Sequence, residues 1–235
     1  NAATPAYGAS VGVTGTMSVA NAAVVAVMSH PTNGGSAYFR MANLSVDATS
    51  RIQADGGGFD SARGPGKGTS SSRPGGAGHG GTGGRGSDGT AGGVAYGVSN
   101  APVDAGSGGG NYLSSWGGRG GGLIRLNIEG NLQLDGRISA DGEPTRPESS
   151  SSAGGSGGGI YVAGRTFSGS AGVLRAAGGS AYSTNYAGAS AGGRIALWRA
   201  FDTASGFNAT VSNGVGWTFA TNGWPGTIVI GGLPG

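Results

Sequence analysis

Two histidines, His30 and His79, stand far apart in a 235-residue chain that contains no cysteine. Without cysteine there is no disulfide, zinc-thiolate or thiol chemistry. With two distant histidines, neither a metal cluster nor a Ser/His/Asp triad has its usual parts. His79 lies in Gly78-His79-Gly80, a context that suits a structural hydrogen-bonding residue better than a catalyst. The carboxylates offer a second chemistry. Asp55 and Asp141 occupy equivalent places in Arg51-Ile52-Gln53-Ala54-Asp55-Gly56 and Arg137-Ile138-Ser139-Ala140-Asp141-Gly142, and Asp60 follows close by. Stacked on one another, such residues are candidate Ca²⁺ ligands. An Asp before Gly also closes its own turn, and that is the expected role here. No other cofactor is expected.

Arg51 and Arg137 recur just before the apolar Ile of the same motif. In β-helix polysaccharide lyases a basic residue beside acidic metal ligands abstracts a proton, and Arg137 with Asp135 and Asp141 invites that comparison. Both charges recur with the repeat, however, as a surface ladder does, whereas a catalytic group is needed on one turn only. No catalytic residue is assigned. The glycine runs fail as phosphate loops, because none follows a strand, ends in Gly-Lys-Ser/Thr and opens a helix. The aromatic residues Trp116, Tyr182, Tyr186, Trp217 and Trp224 fall in or beside glycine-rich stretches. Their faces suit stacking on sugars, burial at a protein interface, or covering the flank of their own chain. Asn43-Leu44-Ser45 and Asn208-Ala209-Thr210 match the N-glycosylation pattern, which matters only in a eukaryotic host.

The elements that position these groups follow from an internal repeat. Gly121-Gly122-Leu123-Ile124, Gly158-Gly159-Ile160, Gly192-Gly193-Arg194-Ile195 and Gly226-Thr227-Ile228 are variants of one unit. The isoleucines at 124, 160, 195 and 228 recur at nearly even spacing, the mark of a repeat architecture. A second element, Asn43-Leu44-Ser45-Val46-Asp47, returns as Asn131-Leu132-Gln133-Leu134-Asp135, with a degenerate copy at Gly172-Val173-Leu174-Arg175. Leu132, Leu134, Ile138 and Ala140 alternate with polar residues, the period of strands with one buried face. Glycine in helix interiors costs about 1 kcal/mol per position, so crossover helices are excluded. About three short strands per unit suit one turn of a parallel β-helix, an all-β solenoid. A β-sandwich is the alternative. A polyproline-II bundle lacks strict three-residue periodicity in the sequence.

These motifs resemble the glycine-rich repeat regions of large bacterial surface and secreted proteins, over the span Ser36 to Gly231. The resemblance implies export and a parallel β-helix, and it carries over no functional residue.

Composition limits the partners. Glycine supplies 56 residues and proline 9, a level at which disorder is usually suspected. The strand-like runs argue otherwise. Charged residues make up 11%, with a net charge of +3 and no Lys/Arg run that would track a phosphate backbone, so nucleic acid is not an expected partner. No apolar stretch approaches the length needed to span a membrane as a helix. A chain that starts at Asn1 rather than Met is read as processed or excised, and an extracellular or cell-surface location is expected.

Extra length falls at one point of every unit: Gly57 to Gly120, Glu143 to Gly157, Ser180 to Ala191 and Asn213 to Pro225. The whole chain reads as one solenoid domain, with residues 1–35 as an end cap or exchange segment and 121–231 as the regular repeats. The first insertion, Gly57 to Gly120, is far longer than ordinary loops. Piled along one side, the insertions define the expected binding or assembly face: His79, Arg85, Tyr96, Tyr112, Trp116, Arg119, Tyr182, Tyr186, Trp217 and Trp224. The expected function is non-enzymatic, structural or adhesive, with self-association into a fibre or surface layer. The alternative is a β-helix that binds or cleaves polysaccharide.

Overall fold

Each repeat unit but the last contributes a long strand and a short one, and the two kinds sort into separate sheets. The computed structural model describes residues 8–113, 115–145, 151–181, 186–216 and 219–233. The long strands are β1 (Ser10–Val19), β3 (Tyr38–Val46), β5 (Leu123–Leu134), β7 (Gly159–Ser168), β9 (Arg194–Asp202) and β11 (Thr227–Gly232). The short ones are β2 (Val24–Ala26), β4 (Arg51–Gln53), β6 (Arg137–Ser139), β8 (Gly172–Arg175) and β10 (Phe207–Thr210). The six long strands form one sheet in the order β1-β3-β5-β7-β9-β11, and the five short strands form another, β10-β8-β6-β4-β2. Every pairing between these strands is parallel.

The repeat spacing becomes a column of stacked side chains. Ile124, Ile160, Ile195 and Ile228 are register partners in turn, and so are Leu126, Val162, Leu197 and Ile230. In the short-strand sheet the column is Val25, Ile52, Ile138, Leu174 and Ala209. One core cluster joins the inward residues of both sheets, among them Met41, Leu44, Leu132, Leu134 and Phe167. The long strands shift register at equivalent points, after Val13, Met41 and Ile128. Such irregularities bend a strand, and here they fall within the pairings that join β1, β3, β5 and β7, while those of β9 and β11 run without a shift.

The chain is all-β, with no helix among the described residues, but it is not the closed parallel β-helix that the repeat led us to expect. Among the described residues two sheets of six and five strands stand without a third to close the turn, and a unit holds at most two strands where about three were expected. The expected third strand is a glycine-rich segment that enters neither sheet. Parallel sheets are ordinarily covered by crossover helices; here glycine-rich crossovers take that place. The β-sandwich alternative fails too, because both sheets are parallel throughout.

Those crossovers have an order of their own, visible in the backbone hydrogen bonds. In the segment 188–193, the amides of Gly188 and Ala191 donate to Pro74 and Ala77. Those of Ala189 and Gly192 donate to Thr221 and Trp224, and those of Ser190 and Gly193 to Gly179 and Ala176. Every third residue thus reaches the same neighbour. Segment 153–158 repeats the rule: Ala153 and Ser156 donate to Gly110 and Ser107, Gly155 and Gly158 to Glu143 and Ala140. Three residues per turn with no internal hydrogen bonds is the geometry of polyproline II, which leaves each amide free to bond sideways. The crossovers therefore form a bundle of the kind that the sequence, lacking a strict three-residue period, argued against. The long insertion is part of it: the amides of Gly76, Gly83 and Gly93 donate to Gly84, Gly93 and Gly76.

Glycine is required in this bundle by space. A Cβ on Gly93 would lie 1.8 Å from the carbonyl oxygen of Gly66, and one on Gly120 1.9 Å from that of Gly106. Neither glycine has a left-handed φ. Where no neighbour approaches so closely, Ala and Ser are accommodated, as in Ala189-Ser190-Ala191. The bundle also folds back over the sheet: the Trp198 indole donates to the carbonyl of Asn100 at 2.8 Å, and Leu123 is buried with Phe59 and Ala105.

Candidate functional site

Where the bundle meets the long-strand sheet lies a cluster of polar side chains. His79 is fully buried, and its Nδ1 is 2.8 Å from the carbonyl oxygen of Gly157. A carbonyl only accepts, so Nδ1 carries the proton and Nε2 is a bare acceptor, buried without a partner. Burial dominates its titration and lowers the imidazole to about 4, with Arg194 adding to the effect. The ring lies 4.7 Å from that of Tyr96. The Tyr96 hydroxyl donates to the carbonyl of Ala105 and accepts from Ser107 Oγ at 2.8 Å, and desolvation raises its pKa. Arg194, 8% exposed, donates through Nε to Tyr96 O at 2.8 Å, through Nη1 to Thr227 Oγ1 at 2.9 Å and through Nη2 to His79 O at 3.3 Å. Asp104 stands opposite Arg194, its carboxyl raised by desolvation.

This arrangement fastens rather than reacts: the histidine is neutral, enclosed and already committed to a backbone carbonyl. His79 and Tyr96, assigned from sequence to an outward face, are placed here instead. Ser107, Asp104 and Arg194 were not singled out from sequence as site residues. A signal existed for Arg194. Its register partners are Gly159 and Thr227, and Leu123 stands in the same column, so a guanidinium there breaks the pattern.

The repeated carboxylates are spent between rungs. Asp55 accepts from Arg137 Nη2 at 2.9 Å, Ser139 Oγ at 3.0 Å and the amide of Asp141 at 2.8 Å. Asp141 accepts from the amide of Ala177 at 2.7 Å and faces Arg175 Nε at 3.3 Å; desolvation raises its carboxyl. Each aspartate thus ties its own rung to the next. Asp135 likewise accepts from the amide and hydroxyl of Ser170, and these bonds lower its pKa. Asp60 is paired elsewhere, with Arg119 Nε at 2.8 Å. Among the described residues no group of three or more His, Asp or Glu side chains is placed to hold a metal ion. Arg51 and Arg137 are register partners on neighbouring strands, as a ladder requires.

The remaining residues of the expected face fall into two groups. In the first, Trp116 is 65% exposed and lines a cleft with Ser61, Arg119, Glu143 and Pro144, while Tyr112 is exposed nearby in sequence. In the second, the Arg73 guanidinium lies over the Tyr186 ring, 4.9 Å from its centre, and Phe219 is stacked against the same residue at 6.3 Å. The Arg85 amide donates to Thr221 Oγ1, and exposed Trp224 is held by its amide bond to Thr82. Tyr182 and Trp217 lie outside the described residues. Arg73, Glu143 and Phe219 were not singled out from sequence, since nothing but the fold brings them beside aromatic partners. No protein-family model, curated protein or solved structure matches this chain.

Proposed function

We propose that this protein is a non-enzymatic structural or adhesive element of the cell exterior that associates with copies of itself through the last rung of its stack. The observation that carries this reading is the contrast within one column. Ile195 and Leu197 are 0% and 2% exposed, whereas their partners on the next strand, Ile228 and Ile230, are 39% and 44% exposed. Val215, Phe219 and Trp224 of the same last unit are exposed as well. Among the described residues no strand pairs with the outer edge of β11, which sets its backbone groups alongside this apolar surface, the combination by which strands recruit further strands. A weakly charged surface opposes such association little. The resemblance to glycine-rich repeats of bacterial surface proteins supports a place outside the cell.

Sedimentation velocity across a range of concentrations, with electron microscopy of the same samples, tests the reading. The wild-type chain is expected to form larger species as concentration rises, and the double variant Ile228→Lys/Ile230→Lys to remain monomeric with its fold intact. A wild-type chain that stays monomeric throughout would overturn it.

A further inference from the structure

We propose that the cleft at Trp116 binds one ring of an uncharged pyranose oligosaccharide. Its floor is Gly117 and Gly118, held in contact with the bundle: a Cβ on Gly118 would lie 2.1 Å from the carbonyl of Glu143, and one on Gly117 2.3 Å from that of Gly109. The Gly117 amide donates to Ser61 Oγ at 2.7 Å, and the Arg119 amide to Glu143 Oε2 at 3.2 Å. The backbone under the site is therefore fixed before any ligand arrives, which lowers the ordering cost of binding.

Above this floor stand three kinds of group. Trp116, 65% exposed, offers an indole face. Arg119, half exposed, offers guanidinium donors. Glu143 and Ser61 offer acceptors. A flat C–H face flanked by hydroxyls that both donate and accept is the chemistry that uses all three, and it is that of a pyranose ring. The volume of about 140 Å³ suits one ring rather than a buried chain. Local charge selects among sugars. Arg119 is paired with Asp60, and among the described residues no cation pairs with Glu143, so a uronate would meet a carboxylate.

This site is independent of the end-to-end association proposed above, and the two can fail separately. Soluble tetrasaccharides of glucose, mannose, galactose and N-acetylglucosamine, with a galacturonate tetramer beside them, are titrated against the full chain by calorimetry and tryptophan fluorescence. At least one neutral tetramer is expected to saturate. Trp116→Ala should weaken it by about tenfold, the scale of one aromatic contact, and Trp116→Tyr should restore most of the loss. Glu143→Gln should narrow the gap to the galacturonate. Because Trp116 is exposed, its removal leaves the fold and the sedimentation behaviour unchanged. No neutral tetramer saturating below roughly 10 mM would overturn the proposal. So would equal affinity in Trp116→Ala, or tighter binding of the galacturonate by the wild type.

Discussion

The sheets and the glycine bundle reach close packing by opposite uses of the side chain. In the sheets, cohesion comes from apolar columns such as Ile124-Ile160-Ile195, where each fully buried aliphatic side chain contributes about 1.5–3 kcal/mol. In the bundle, side chains are removed so that amides can bond to neighbours on three sides and Cα atoms can sit against carbonyl oxygens. The sheets should therefore suffer when methyl groups are lost, and the bundle when they are gained. One repeat alternates between the two regimes every few residues.

The largest effect is expected in the sheets. Phe167, buried in the core and 5.1 Å from Phe207, should cost about 3–5 kcal/mol when replaced by Ala, read from urea unfolding. At the junction of the two regions the effect depends on pH. His79 is lowered from 6.5 to about 4, so the unfolded chain binds the proton first as pH falls. Stability should be full above about 6.5, decline towards about 4 and level off below, by on the order of 3 kcal/mol in all. His79→Gln should flatten this dependence. In the bundle, Gly93→Ala drives a methyl group into the Gly66 carbonyl and should cost about 1–3 kcal/mol. Gly15→Ala is the smallest of the set. Nothing lies within 4 Å of a Cβ there, and the change should stay within about 0.5 kcal/mol.

The apolar columns were legible because side-chain identity and spacing carry them: the evenly recurring Ile124, Ile160, Ile195 and Ile228 do share one column. The bundle was not. Its three-residue period lies in which neighbour each amide meets, and glycine is forced only where a carbonyl comes close, so Ala189-Ser190-Ala191 interrupts the pattern without breaking the geometry. The same reason concealed the missing third strand, since glycine next to Ile reads as a strand start whichever way the backbone then turns. Candidate site residues were legible as types but not as neighbours. Trp116 and Arg119 were marked by sequence, whereas Glu143 joins them only because its amide donates to the Arg119 carbonyl at 2.9 Å. His79 and Tyr96 were marked as outward because nothing in a glycine-rich stretch announces that it is an interior.

Amide hydrogen exchange tests most directly the claim that the glycine crossovers are a bonded, close-packed bundle. The amides of Gly76, Gly83, Gly93, Ala189 and Ala191 are expected to be protected as strongly as those of Ile160 and Ile195 in the sheet, opening only with global unfolding. Exchange of these five within minutes, while the sheet amides stay protected, would contradict the account.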